Sequence, residues 1–224
     1  MDLKLVILDI AGTCVADNGE VTKSFKGALE EHGITVTDEQ INNIRGLSKR
    51  TAVRNLIPKG ADEASRGDAV YESFCARLKQ QYAAKGVHPI AGAREVFSWF
   101  RNRGVCVALN TGFDRSVTDV LICALKWDVD VVDVVVSGDE VSQGRPAPYL
   151  IFRAMEATRV LSVHSVANVG DTVLDLRAGY NAGVRWNLGV LSGAHNRQKL
   201  EMEPHTHLLQ SISDLPAFFC SIPE

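Results

Sequence analysis

An aspartate at the end of an apolar segment is the first candidate for chemistry. Asp9 closes the run "LKLVILD" and is followed by Gly12 and Thr13. A carboxylate at a strand end can attack phosphorus, while backbone N–H groups of the following turn hold the phosphoryl oxygens. Taken alone the pattern is weak, because Asp-Gly turns need no function. Position 11, where a second carboxylate could act as acid and base, is Ala11.

Two further motifs carry groups that bind phosphate. In "LNTGFDR", the Thr111 hydroxyl could bind a phosphoryl oxygen and Gly112 would let the backbone approach closely; an ordinary turn with a threonine helix cap is the alternative. In "QGRPAP", Arg145 could neutralise both an attacking carboxylate and a phosphate dianion, since its fork geometry suits phosphoryl oxygens. A surface arginine is the simpler interpretation of that residue.

The segment "VGDTVLDLRAGYNAG" is the most specific of the four motifs. Asp171 and Asp175 are four positions apart, at a strand end and in the helix that follows. Two carboxylates on the same edge as Asp9 make a hard oxygen site suited to Mg²⁺, which keeps several waters and bridges carboxylates to phosphate.

The elements that position these residues follow from alternating apolar runs and amphipathic stretches. This alternation predicts an α/β fold with a parallel sheet between helices. Ligands of such sheets bind outside the carboxyl ends of the strands. Asp9, Thr111 and Asp171 each end a predicted strand, so we expect them at one edge. Six runs are predicted to be strands: "LKLVILDI", "VCVALNT", "VVDVVVSGD", "SVANVGDT", "RWNLGVL" and "HLLQSI".

A long helical insert interrupts the strand pattern after Asp9. From about Ala16 to Pro89 the sequence shows helical patterning and no convincing strand, over a length that exceeds any crossover in a compact sheet. We therefore predict a helical cap over 16–90, with hinges near its two ends, and a core made of 1–15 and 91–224.

Composition favours a small-molecule enzyme of the cytoplasm. The chain has 224 residues and a net charge of -3, and its Lys and Arg are scattered, which argues against a nucleic-acid partner. No apolar run approaches the roughly 18 residues that span a membrane. The start of the sequence lacks the features of a signal peptide, and five widely spaced cysteines fit free thiols in a reducing compartment.

The four motifs, in this order and with a helical insert after the first, resemble the haloacid dehalogenase superfamily of phosphotransferases with a helical cap. The resemblance implies a three-layer, Rossmann-like core and an aspartyl-phosphate intermediate on Asp9. It also implies phosphate contacts from Thr111, a charge clamp at Arg145, and Mg²⁺ held by Asp9, Asp171 and the backbone carbonyl of Ala11.

Ala11 and Arg145 resemble one branch of that superfamily more closely. Most of its phosphatases carry a second aspartate at position 11 to protonate the leaving oxygen, whereas D-x-A-G-T with an arginine in the third motif is similar to phosphonoacetaldehyde hydrolases. Those enzymes cleave a carbon–phosphorus bond after a cap lysine condenses with the substrate aldehyde. Lys49, three residues after Gly46, matches the branch's G-x-x-K loop, which implies a Schiff-base lysine and a substrate contact at Gly46.

Lys49 would need a lowered pKa for this role, because an ordinary lysine has a pKa of about 10.4. Burial or the nearby Arg45 and Arg50 could supply the shift; a solvated helix lysine is the alternative. The chain departs from the branch at Ala52, where those enzymes have a histidine, and at Phe113, where they have a tyrosine. The first departure leaves other 2-oxo-phosphonates open as substrates.

Two rival functions stay open from the sequence. One is a phosphomonoesterase of the same superfamily, acting on a small sugar phosphate or on phosphoglycolate, in which the cap cation only contacts the substrate. The other is a non-catalytic phosphate-binding or regulatory protein, although a binder does not need the nucleophile. Relatives often dimerise through the cap, so a homodimer is an open alternative to a monomer.

Overall fold

A computed structural model describes residues 2–60 and 62–222 of the chain. Six parallel strands form one sheet in the order β3-β2-β1-β4-β5-β6. All six predicted strands are present. In chain order they are β1 (Leu5–Asp9), β2 (Cys106–Asn110), β3 (Val134–Val136), β4 (Val166–Gly170), β5 (Trp186–Val190) and β6 (His207–Leu209).

Ten α-helices accompany the sheet in the described part of the chain. They are α1 (Glu20–Glu31), α2 (Asp38–Asn43), α3 (Lys49–Leu56), α4 (Glu63–Lys85), α5 (Ala93–Arg101), α6 (Arg115–Leu125), α7 (Tyr149–Thr158), α8 (Val173–Ala182), α9 (Arg197–Glu201) and α10 (Leu215–Ser221).

Alternate side chains of β1 face two different helical layers, because successive side chains of a strand point to opposite faces. Val6 and Leu8 belong to a cluster with residues of α5, α6 and α10. Leu5 and Ile7 belong to a second cluster with residues of α7 and α8. The core is therefore a three-layer α/β sandwich with the sheet in the middle, as the sequence predicts.

Helices α1 to α4 separate β1 from the rest of the sheet in sequence. Helix α4 packs against α1 and α3. The two connecting segments lie side by side: the Ala16 amide donates to the His88 carbonyl, and the Ile90 amide donates to the Cys14 carbonyl, at 2.9 and 2.8 Å. We propose that residues 16–90 form a cap unit that joins the core through this paired connection.

The segment between α2 and α3 is less regular than its helical patterning predicts. Gly46 has a φ of +87°, which a right-handed helix does not accommodate. The Ser48 side chain then accepts a hydrogen bond from the Thr51 amide and caps the N-terminus of α3. A glycine turn therefore divides the stretch into two helices and places Lys49 first in α3.

No helix within residues 2–60 and 62–222 is both long and apolar enough to cross a membrane.

Candidate active site

Asp9 lies at the centre of the sheet's carboxyl edge. It is the last residue of β1, which is flanked by β2 and β4, and it pairs in register with Asn110. Its side chain is buried, and its Oδ1 accepts a hydrogen bond from Nη2 of Arg145 at 2.7 Å. Asp9 thus lies at the sheet edge where the sequence predicts it.

Arg145 connects the carboxylates of two motifs. Its guanidinium is buried and its Nε donates to Asp175 Oδ1 at 2.9 Å, while Nη2 contacts both Asp9 and the Asn110 side chain. The guanidinium therefore holds one carboxylate on each side. Arg145 is buried, so its simpler interpretation as a surface arginine is wrong. Asn110 is a partner that the sequence reasoning missed.

The two aspartates of the fourth motif have different partners. Asp171 is fully buried and accepts hydrogen bonds from the Thr13 hydroxyl at 3.0 Å and the Ala194 amide at 2.7 Å. Asp175 accepts from Arg145 on one oxygen and from the Thr172 amide on the other, at 3.1 Å. Because both oxygens of Asp175 are engaged, the geometry favours a role in holding Arg145 over the predicted direct contact with a metal.

The buried carboxylates carry more negative charge than their neighbours balance. Burial raises the pKa of Asp9 to about 6, although Arg145 opposes the shift. Burial and the charges of Asp9 and Asp175 raise the pKa of Asp171 to about 8, and its two hydrogen-bond donors are uncharged. A cation between Asp9 and Asp171 would remove this repulsion, so the residues present fit a divalent metal ion.

The described part of the chain has no side-chain cage for such an ion. Within residues 2–60 and 62–222, no group of three or more His, Cys, Asp or Glu side chains is arranged to hold a metal. Mg²⁺ is commonly bound by one or two carboxylates together with waters and substrate oxygens. The pair Asp9 and Asp171, with a backbone carbonyl, matches that sparse type of site.

A loop after β5 braces the first and fourth motifs, and the sequence reasoning missed it. The Ser192 hydroxyl donates to the Gly12 carbonyl at 2.9 Å, and a Cβ atom on Gly193 would overlap the Asp171 carboxylate. The Ala194 amide completes the contact with Asp171. The signal available was the Ser-Gly pair immediately after a predicted strand, at the edge where ligands bind.

Gly12 and Thr13 serve the carboxylate cluster in this structure. Gly12 has a φ of +97°, and a side chain there would overlap Asp171. Its amide donates to the Val15 carbonyl at 2.7 Å, so this donor is used within the turn, and the Thr13 hydroxyl is used by Asp171. The predicted phosphate contacts of Gly12 and Thr13 stay predictions, although the Gly12 amide and the Thr13 hydroxyl have other partners here.

Gly112 and Gly46 lie at the junction between the cap and the core. A Cβ atom on Gly112 would lie 2.5 Å from the Leu47 carbonyl oxygen, and one on Gly46 would lie 2.5 Å from Oγ1 of Thr172. The sequence predicts that Gly112 lets the backbone approach a phosphate closely; in the structure it is the cap loop at Leu47 that packs closely against Gly112. Gly46 contacts the core in the same way, and its predicted contact with substrate stays a prediction.

Thr111 is buried next to this junction. Its Oγ1 accepts a hydrogen bond from the Phe113 amide at 3.2 Å, and its own amide donates to the Val136 carbonyl at 3.1 Å. The helix that follows begins after Asp114, so Thr111 is not the helix cap that was its alternative interpretation. The hydroxyl is held by the loop and has its proton free to donate.

Lys49 extends from the cap toward the core. Its backbone amide donates to the Gly112 carbonyl at 2.9 Å, and Nζ lies 5.0 Å from the centre of the Phe113 ring and 3.5 Å from the Leu47 carbonyl oxygen. Burial lowers the pKa of Lys49 to about 8, although the charge of Asp9 opposes this, and Arg145 contributes to the lowering. At pH 7 roughly a tenth of this amine is therefore uncharged, far more than for an ordinary lysine.

The cationic neighbours predicted for Lys49 have other partners. Arg50 turns away and pairs with Asp114 at 2.9 Å and Asp68 at 3.2 Å. Arg45 pairs with Asp17 at 3.3 Å and adds a small part of the lowering of the Lys49 pKa. The larger cationic contribution comes from Arg145 of the core, which sequence proximity does not reveal.

Comparison with known proteins identifies the family. Residues 6–188 match the sequence profile described as haloacid dehalogenase-like hydrolase. The chain belongs to that family. This confirms the prediction from the four motifs, and the protein is a hydrolase of the haloacid dehalogenase superfamily.

Several individual proteins are similar to this chain in sequence or in structure. A phosphonoacetaldehyde hydrolase of Bacillus cereus (strain AH187) is 32% identical over 211 residues, which cover 87% of this chain and 78% of the relative. The crystal structure of a phosphonoacetaldehyde hydrolase-like protein from Oleispira antarctica aligns with a TM-score of 0.87 and 20% identity, over 98% of this chain and 92% of that one. The crystal structure of a hydrolase from Pseudomonas syringae also aligns with a TM-score of 0.87 and 20% identity, over 99% of this chain and 100% of that one.

Proposed function

We propose that this hydrolase cleaves the C–P bond of phosphonoacetaldehyde or a related 2-oxo-phosphonate. The observation that carries the proposal is the position of Lys49, a cap amine with a lowered pKa that is anchored on the core beside the Asp9 and Arg145 pair. The similarity to curated phosphonoacetaldehyde hydrolases supports the same substrate class.

Asp9 and Lys49 divide the reaction between them. The Lys49 amine adds to the substrate carbonyl and water leaves, which forms a protonated imine. Asp9 then attacks phosphorus while the C–P bond breaks, and the electron pair of that bond moves onto carbon to give an enamine. Protonation of the enamine carbon and hydrolysis of the imine release the carbonyl product. Water hydrolyses the aspartyl phosphate and releases inorganic phosphate.

This route accounts for the alanine at position 11. An alkoxide leaving group needs a proton from a general acid, whereas an enamine leaving group receives its electron pair into the iminium. With Ala11 in place of the usual second aspartate, the protein lacks only a general acid that C–P cleavage does not use. Thr111 and Arg145 are proposed to hold the phosphoryl oxygens and to balance their charge.

Mg²⁺ is the proposed cofactor. Asp9, Asp171 and the backbone carbonyl of Ala11 would hold it, and the bound ion would neutralise the phosphoryl oxygens and polarise phosphorus. Asp175 is proposed to keep Arg145 in position beside this site. The cytoplasmic location and a homodimer formed through the cap stay predictions.

Replacement of Lys49 by arginine tests the proposal against the phosphomonoesterase alternative. Arginine keeps a positive charge in the cap but does not form the imine. We expect the wild-type protein to release phosphate from phosphonoacetaldehyde faster than from phosphoglycolate, and Lys49→Arg to lose the first activity. Faster release from phosphoglycolate would favour the phosphomonoesterase instead, and full activity of Lys49→Arg on phosphonoacetaldehyde would exclude the imine.

A further inference from the structure

A small apolar pocket lies inside the cap beside Lys49. It is enclosed by the first turns of α1, by α2 and by the residues that follow α2. Its walls are mainly hydrocarbon, and its two other polar members come from the same segments. Besides Lys49, the lining residues are Val21, Thr22, Phe25, Ile41, Ile44 and Arg45.

The walls of this cap pocket are held in place from behind. Phe25 and Ile41 are each 2% exposed, and the Phe25 ring packs against Phe74 of α4 with ring centres 4.2 Å apart. Side chains packed in this way do not rearrange freely to admit a larger group. The shape of the pocket therefore restricts the size of an occupant.

The polar side chains Arg45 and Thr22 of the pocket already have hydrogen-bond partners within the protein. Nε of Arg45 donates to the Asn42 side chain at 3.2 Å, Nη1 to Asp17 at 3.3 Å and Nη2 to the Thr22 hydroxyl at 2.7 Å. Its charge is balanced by Asp17 and each of its three nitrogens has a partner. An anionic group in the pocket would have to displace these bonds, so the occupant that fits is uncharged and apolar.

The size of the pocket favours one or two carbon atoms. Its total volume is about 220 Å³ including the mouth, and its enclosed part is only slightly larger than a water molecule. A methyl group fits this enclosed part, whereas a branched or aromatic group does not.

We propose that the cap pocket receives a short alkyl group on the substrate's carbonyl carbon, so that the substrate is a 2-oxoalkyl phosphonate ketone. The inference rests on the proposed function, since it requires the imine on Lys49. A carbonyl carbon joined to Lys49 Nζ has two further substituents. One leads to phosphorus and Asp9, and the other is hydrogen in phosphonoacetaldehyde but carbon in a ketone. With a methyl substituent the bond changes are the same, and the products are acetone and inorganic phosphate.

The test compares (2-oxopropyl)phosphonate with phosphonoacetaldehyde as substrates. An aldehyde is intrinsically the more reactive carbonyl, so any preference for the ketone reflects binding. We expect kcat/KM for the ketone to exceed that for the aldehyde by about tenfold or more, the range in which one added carbon in an apolar pocket acts. A preference for the aldehyde would overturn the inference.

Substitutions in the pocket wall provide the second arm. Val21→Leu narrows the pocket and should lower the ketone-to-aldehyde ratio at least fivefold, whereas Val36→Leu, in the same cap but outside the lining, should leave the ratio unchanged. Val21→Ala enlarges the pocket and should move the preference toward (2-oxobutyl)phosphonate. Equal ratios in all four proteins would overturn the inference.

Borohydride trapping keeps failure of this inference distinct from failure of the proposed function. If phosphonoacetaldehyde gives a reduced adduct on Lys49 and is the better substrate, C–P cleavage stands and the alkyl pocket does not. If no oxo-phosphonate gives an adduct, both the proposed C–P cleavage and the binding of an alkyl group in the cap pocket are wrong.

Discussion

The backbone amide of Lys49 donates to the carbonyl of Gly112 at 2.9 Å and thereby joins the first residue of a cap helix to the loop after β2. The same loop carries Thr111, and Gly112 has no room for a side chain beside Leu47. The position of the Lys49 amine relative to the core therefore depends on close backbone contact across the junction.

Gly46→Ala should damage catalysis more than it damages folding. A methyl group there would lie 2.5 Å from Oγ1 of Thr172 and would hold the cap loop away from the core. Misplacement of a reacting group by about 1 Å costs on the order of 100-fold in rate. We expect kcat/KM on phosphonoacetaldehyde to fall at least tenfold.

Gly33→Ala is the matched control for this substitution. Gly33 also has a positive φ, of +70°, but apart from its chain neighbours no atom lies within 4 Å of the position that a Cβ atom would occupy. Each alanine should cost roughly 1–2 kcal/mol of stability from backbone conformation, which thermal unfolding measures. Equal activity losses in the two variants would contradict the role of the Gly46 contact.

Asp171→Ala should weaken Mg²⁺ binding at least about tenfold, because it removes one of two carboxylates proposed as ligands. Isothermal titration calorimetry of the protein without substrate measures this directly. Asp119→Ala, which removes an exposed carboxylate on α6, is the control and should bind Mg²⁺ normally. Unchanged affinity in Asp171→Ala, or full turnover after exhaustive chelation, would exclude the proposed metal site.

Ala11→Asp should increase hydrolysis of alkyl phosphates such as phosphoglycolate. The new carboxyl group would supply the proton that an alkoxide leaving group needs, an effect of about 10²–10⁴-fold when a general acid is well placed. It should not accelerate C–P cleavage, whose leaving group needs no oxygen protonation. A folded variant whose alkyl phosphatase activity is unchanged would show that the alanine does not limit that reaction.

The pH profile should report the Lys49 amine. The reactive form is the free base, and burial lowers the pKa of Lys49 to about 8, so kcat/KM on an oxo-phosphonate should rise with pH and level off above about 8. Hydrolysis of p-nitrophenyl phosphate by the same protein needs no imine and should lack this limb. Identical profiles for the two substrates would contradict a role for the amine.

The sheet edge was predictable because each of its residues follows a strand that the sequence marks clearly. Asp9, Thr111 and Asp171 end apolar runs, and the carboxyl ends of parallel strands meet at one edge. The pairing of Asp175 with Arg145 was harder to predict, because it depends on how helix α8 and a loop from a distant part of the chain approach each other.

The cap junction was not predictable in detail for the same reason. Arg45 and Arg50 stand near Lys49 in sequence, yet their charges are taken by Asp17 and by Asp114. The Ser-Gly pair was the signal available for the loop at Ser192, and the contact of this loop with the first motif is a tertiary one that sequence spacing does not reveal.

The imine on Lys49 is the central claim, and borohydride reduction in the presence of substrate tests it most directly. Incubation with phosphonoacetaldehyde or (2-oxopropyl)phosphonate and borohydride should inactivate the protein irreversibly. Mass spectrometry should then find the reduced adduct on the peptide that contains Lys49, and Lys49→Arg should give none. Full activity after this treatment, or an adduct only on other lysines, would contradict the account.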